Sequence, residues 1–373
     1  MKVTCPRDAL LAACQLVQGA VAPRTTKPVL ANIKAVAQDD ALILMATDTE
    51  IGIRYELRGV TVSRAGEAIL PVARLINILR EATAPEISID CKEETLVRIG
   101  TGRYELPGGD PLEFPDIPVF DAGGQYHELT AGVLRTMIRR TAFAADKKEG
   151  ARWAVTGVLW EAHGGTARFV ATDTKRLAMI ESPADIRGEA EGKPQSHLIP
   201  LKAITLLEKN LSDAGELIRV ALRPNAAMFQ TERAMIHSRL VEGKFPPYQQ
   251  IIPKKLTNRL TLPAADFFSR VRQAAITTDE DSKRVEFRFE PGKLTLRARG
   301  ADAGSSEVEM SLPDYTGDEV QLALDPAYVG DMFRAIDGEP TIVMEFTDNT
   351  KPVLFRIPES YLYLVMPLGE RGG

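Results

Sequence analysis

Along much of the chain apolar and polar residues alternate with a period of two, as in Ile51-Gly52-Ile53-Arg54-Tyr55-Glu56-Leu57. That alternation puts the apolar side chains on one face of a half-buried strand. In the first third of the chain such runs predict strands near 29–37, 41–46, 50–60, 86–90, 95–99 and 102–106. Elsewhere the period lengthens. Apolar residues three and four apart, such as Leu134 with Ile138 and Phe267 with Val271, predict helices over 6–19, 130–144 and 263–275. Three further helices are announced by a short apolar strand followed by Pro71, Pro200 and Pro326. Proline suits the first helical turn, where its missing N–H has no partner to lose.

These elements recur. The strand ending Leu44-Met45-Ala46-Thr47-Asp48-Thr49 returns as Phe169-Val170-Ala171-Thr172-Asp173-Thr174 and, more weakly, as Leu294-Thr295-Leu296-Arg297-Ala298. Ala46, Ala171 and Ala298 are spaced by 125 and 127 residues, and the three prolines by 129 and 126. Landmarks repeated in one order at one period predict three homologous domains, over 1–122, 127–253 and 257–373. Gly, Pro and polar residues gather at the joins, 121–125 and 254–258. Two helices and about eight strands per domain predict an α+β fold with antiparallel sheets. The helices are too few for a doubly wound parallel sheet.

Composition adds exclusions. With 373 residues, 44% hydrophobic and 26% charged, the chain reads as globular. No apolar run approaches the ~18 residues of a membrane span, so no membrane association is expected. The start, Met1-Lys2-Val3-Thr4-Cys5-Pro6, lacks a signal-peptide pattern, which makes the cytoplasm the expected location. Cys5, Cys14 and Cys91 match neither a disulfide framework nor a zinc site, and His127, His163, His197 and His237 show no metal-ligand spacing. No metal, cofactor or catalytic site is expected. Asp48 and Asp173 invite a reading as paired acid–base carboxylates, yet they occupy one place in two repeats. An aspartate capping its own turn accounts for them better. A metal-assisted hydrolase and a monomeric nucleic-acid-associated module are the rival readings.

Net charge is −5, with 46 basic against 51 acidic residues, but the helices reverse the bias. They carry Arg7, Arg74, Arg80, Arg135, Arg139, Arg140, Lys202, Lys209, Arg270, Arg272 and Arg334 against Asp8, Glu81, Glu208, Asp266 and Asp331. Such faces are either ordinary solvated helix surfaces or, if the domains join with helices inward, the basic lining of a ring. A lining of this kind would touch phosphates without reading bases.

The chain resembles the bacterial sliding clamp family, the β subunit of DNA polymerase III, from Met1 to Leu368. The stretches that carry the likeness are Arg152-Trp153-Ala154-Val155-Thr156-Gly157-Val158-Leu159-Trp160-Glu161, Val170-Ala171-Thr172-Asp173-Thr174-Lys175-Arg176-Leu177-Ala178, Leu240-Val241-Glu242-Gly243-Lys244-Phe245-Pro246-Pro247-Tyr248 and Tyr363-Leu364-Val365-Met366-Pro367-Leu368. The resemblance implies a head-to-tail homodimeric ring around duplex DNA, nucleoid-associated, with closure in place of affinity. Implied partners are the polymerase III catalytic subunit, the clamp loader and other replication and repair proteins bearing a clamp motif.

It also implies an apolar peptide pocket built from Val155, Thr172, Thr174, Arg176, Leu177, Pro246, Ile251, Thr350, Leu364, Val365, Met366, Pro367 and Leu368. Aliphatic side chains and a methionine make an adaptable groove. The same Leu364-Val365-Met366 run reads equally as a buried final strand. DNA-facing positions would be Arg24, Arg74, Arg80, Arg135, Arg139, Arg140, Lys147, Lys148, Lys202, Arg270 and Trp153, the last either stacking on DNA or packed. The dimer contact would use Arg103 and Tyr104 on one side and Ile276 on the other. Two departures bear on partner preference: Thr174-Lys175-Arg176 replaces a more usual Gly-His-Arg, and Gln249-Gln250 stands where basic residues are common. The tail beyond Leu368 runs past the family's usual end.

Overall fold

The computed structural model describes residues 1–92, 94–148, 154–187, 195–279, 283–336, 338–357 and 360–369. Six α-helices lie among them: α1 (Arg7–Val17), α2 (Val72–Glu81), α3 (Ala131–Thr141), α4 (Leu201–Asn210), α5 (Ala264–Ala274) and α6 (Pro326–Ala335). Among the same residues, strands number nine, nine and eight in the three successive repeats. The helices α1, α3 and α5 each run on into a single 3-10 turn, at Gln18–Ala20, Ala142–Ala144 and Ala275–Thr277.

The prolines act one step earlier than the sequence suggests. Pro6, Pro71, Pro200 and Pro263 stand at the N-cap with ψ between 89° and 140°, ending a strand and not yet helical. Only Pro326 occupies the first turn, and there the Asp325 carboxylate accepts from Ala327 N–H at 2.8 Å. The buried faces follow helical spacing: Leu10, Ala13, Cys14 and Val17 on α1, and Val72, Leu75, Ile76 and Leu79 on α2. Arg74 and Arg80 are left on the exposed side of α2. The three cysteines are buried, and burial pushes the Cys5 thiol up to about 12.

The chain divides into two compact units, Met1–Arg135 with Ala184–Leu240, and Thr136–Pro183 with Val241–Gly373. These do not coincide with the three repeats, because sheets run across the joins. In the first unit a nine-stranded antiparallel sheet places Ala234–Arg239 of the second repeat beside Ile51–Arg58 of the first, with Ile236 opposite Ile53. A five-stranded sheet in the same unit ends on the edge strand Gly102–Leu106. In the second unit Arg176–Pro183 of the second repeat pairs with Tyr361–Val365 of the third, with Leu177 opposite Leu364. A four-stranded sheet there ends on the edge strand Gly304–Leu312. No helix among the described residues is long and apolar enough to cross a membrane.

Candidate functional site

The repeated Thr-Asp-Thr turn is built the same way twice. Asp48 Oδ1 accepts from Glu50 N–H at 3.0 Å and Ile51 N–H at 2.8 Å; Asp173 Oδ1 accepts from Lys175 and Arg176 N–H, both at 3.0 Å. The Thr47 hydroxyl donates to Ile51 C=O at 2.8 Å and the Thr172 hydroxyl to Arg176 C=O at 2.6 Å. One oxygen of each carboxylate therefore caps its own turn, as an Asx cap predicts. Thr49 and Thr174 sit at φ 80° and 76°, a left-handed conformation that strains a β-branched residue.

In the second unit this turn joins the chain's last strand. The Met366 N–H donates to Lys175 C=O at 2.9 Å, continuing the Leu177–Leu364 ladder by one rung. Val353 and Leu354 flank Val365 and Leu364 on the far side. Leu368 N–H donates to Ala323 C=O at 2.8 Å, and Asn349 Nδ2 donates to Leu368 C=O at 3.2 Å, so the segment after the strand is tied down. The residues expected in one groove thus fall into two layers. Thr172, Leu177 and Leu364 share one sheet face as a buried floor, and Val155 and Val365 are equally buried, Val365 on the opposite face with Arg176; all five are at most 2% exposed. Thr174, Ile251 and Thr350 are exposed, while Arg176, Pro246, Met366, Pro367 and Leu368 are partly so.

Arg176 is fully engaged. Its Nε donates to Asp173 Oδ2 at 2.9 Å, one terminal nitrogen to Asp331 Oδ2 at 2.6 Å and the other to Phe143 C=O at 3.0 Å. Its guanidinium lies 4.5 Å from the Tyr328 ring centroid. With a side chain 10% exposed, it braces the turn against α6. Tyr328, Asp331 and Asn349 carry no mark in the sequence, where Asp331 counts only as an acid diluting the helical positive charge.

The cationic positions divide similarly. Arg24, Arg74, Arg80, Arg139, Lys147 and Lys148 are exposed. Lys202, on α4, pairs with Asp48, and Arg270 pairs with Asp266 at 3.2 Å. Arg135 spends one nitrogen on the carbonyls of Leu211 and Ser212 at the end of α4, where a cation suits the helix dipole. Arg140 is the clearest departure. Its side chain is 14% exposed, pairs with Glu339 and lies over the Tyr361 ring, so it neutralises a carboxylate inside the second unit and does not face solvent. Trp153 lies outside the described residues. Arg103 and Tyr104 are exposed on the edge strand Gly102–Leu106, and Ile276 is 77% exposed in the turn after α5.

Models of the DNA polymerase III beta subunit match three consecutive stretches: the N-terminal domain over 1–118, the central domain over 128–247 and the C-terminal domain over 249–368. The chain belongs to the beta sliding clamp family. The beta sliding clamp of Caulobacter vibrioides is 30% identical over 380 residues, covering 99% of this chain and all of that one. The clamp of Bacillus subtilis superposes with a TM-score of 0.91 at 26% identity, over 99% of each chain. A Pseudomonas aeruginosa clamp bound to griselimycin gives 0.90 at 26% identity, over 99% of this chain and 100% of that one.

Proposed function

We propose that two copies of this chain close head to tail into a ring around duplex DNA and hold replication and repair proteins there through the groove over Leu177 and Leu364. The observation that carries the reading is the threefold repeat matched, end to end, by sliding-clamp domains. Two unpaired edge strands support the closure. Gly102–Leu106 presents Tyr104, and Gly304–Leu312 lies in the repeat that also exposes Ile276. Open edges invite pairing with another chain, and Tyr104 against Ile276 of the partner subunit would bury apolar surface at the same join. Exposed Arg74, Arg80, Arg139, Lys147 and Lys148 would meet phosphates through salt-screened contacts that permit sliding.

The domain boundaries at 122–127 and 253–257, residence with the nucleoid in the cytoplasm, and service to the polymerase catalytic subunit and clamp loader belong to the same proposal. No chemistry of its own is assigned, since each repeated aspartate caps its turn with one oxygen and pairs with a cation through the other.

The deciding experiment loads the protein onto nicked circular DNA and then linearises the circle. Retention before the cut and loss after it are expected; equal retention on both would overturn the ring. For the pocket, Met366→Ala should weaken griselimycin binding roughly 10- to 100-fold, the equivalent of one lost apolar side chain. Unchanged affinity by calorimetry would remove the groove from Met366.

A further inference from the structure

The segment 244–251 carries two rim positions, Pro246 and Ile251, outside any strand. A single 3-10 turn, Tyr248–Gln250, lies between them, closed by Gln250 N–H to Pro247 C=O at 3.0 Å and Ile251 N–H to Tyr248 C=O at 3.1 Å. These bonds shape the segment but do not fix it to the sheet. Tyr248 does: it is 2% exposed, and its hydroxyl donates to Glu161 Oε2 at 2.6 Å. Glu161 belongs to a cross-strand row. It stands opposite Arg168, which stands opposite Glu181, and Arg168 bonds all three partners: Glu161 at 3.0 Å, Glu181 at 2.6 Å and the Tyr248 oxygen at 3.2 Å. Arg168 and Glu181 are each four residues along their strands from Thr172 and Leu177. They share a sheet face with those floor residues, roughly 13 Å away.

We propose that Tyr248 is a positioning residue for partner docking, holding the Pro246–Ile251 rim in register with the floor by anchoring it to the Glu161–Arg168–Glu181 row. The inference rests on the pocket reading above. Among the described residues no other side-chain hydrogen bond ties 244–251 to the sheet. Removing the hydroxyl leaves the ring packed against Phe245, with centroids 6.2 Å apart, but frees the rim to sample other positions. Apparent affinity then falls by the fraction of time the rim is correctly placed, and the loss appears in association. Truncating a side chain that itself touches the bound peptide acts instead on dissociation.

The test is surface plasmon resonance of griselimycin on the full-length protein, with thermal unfolding alongside. Tyr248→Phe should slow association about tenfold and leave dissociation unchanged, a charge-assisted hydrogen bond being of that order. Glu161→Gln should act in the same direction and serves if Tyr248→Phe fails to fold. The double variant should be no slower than the worse single one. An unchanged association rate, a loss confined to dissociation, or additive effects would overturn the positioning role. Met366→Ala is the separate control and should speed dissociation. If it has no effect, or if the unaltered protein does not bind, the pocket reading falls.

Discussion

Two junctions between repeats use one design, and their differences separate framework from site. In the first unit the turn carrying Asp48 leads into Ile51–Arg58, which pairs with Ala234–Arg239. In the second unit the turn carrying Asp173 leads into Arg176–Pro183, which pairs with Tyr361–Val365. Ile51 corresponds to Arg176 and Gly52 to Leu177. Where the second junction places Leu177 opposite Leu364, the first has Gly52 opposite His237. The space over Gly52 is taken by Ile117, whose Cγ2 would lie 2.9 Å from an added Cβ. Ile117 packs with Ala22, Val29, Leu30, Ile69 and Phe114 in a small core of its own. The first junction is thus filled by the chain itself, whereas the second has an aliphatic floor flanked by partly exposed Met366 and Leu368.

The braces differ too, and this gives the largest expected effect. Arg176→Ala leaves Asp173 and Asp331 without their buried cation and should cost about 3–5 kcal/mol. Lys202→Ala at the first junction removes a partner that is 45% exposed and should cost under about 1 kcal/mol. Urea denaturation of both variants checks the contrast; equal losses would mean that the two turns are braced alike. Next come the equivalent floor positions. Leu177→Ala should cost roughly 2–4 kcal/mol by opening a cavity. Gly52→Leu should cost about 1–3 kcal/mol by driving Ile117 out, seen as raised proteolysis near residue 117. Since Leu177 is fully buried, its truncation measures folding as well as docking, and Met366 is the cleaner probe. The smallest effect sharpens the comparison of turns. Thr174→Gly and Thr49→Gly should each stabilise by up to about 1 kcal/mol in thermal unfolding, relieving a positive φ against glycine's entropy. Destabilisation by both would show that the entropy glycine gains in the unfolded chain outweighs the relieved strain.

What the sequence made legible was local or periodic. Strand alternation, helix spacing and the Thr-Asp-Thr caps are encoded in neighbouring residues, and the repeats double or triple each signal. The hairpin at His163-Gly164-Gly165 is of this kind: Gly164 and Gly165 at φ 58° and 80° are what a two-residue turn between twisted strands demands. Long-range pairing left no such trace. Nothing near Ile51 announces Ser238, and nothing near Arg176 announces Asp331 or Tyr328. Arginines were legible as charges but not as destinations. Arg139 stays exposed while Arg140, one residue on, turns inward to Glu339, because only the packed unit decides which side of α3 meets a carboxylate.

The sheets that bridge successive repeats also set a timetable. Ile51 meets Ser238 across 187 residues, and Arg176 meets Val365 across 189. At ordinary translation speeds each first-made strand waits roughly 10–40 s on the ribosome with one flank open. A nascent chain must keep that flank from neighbouring polysomes, and a fragment ending after the first repeat would carry it permanently. Its expected fate is the aggregate, not a small soluble domain.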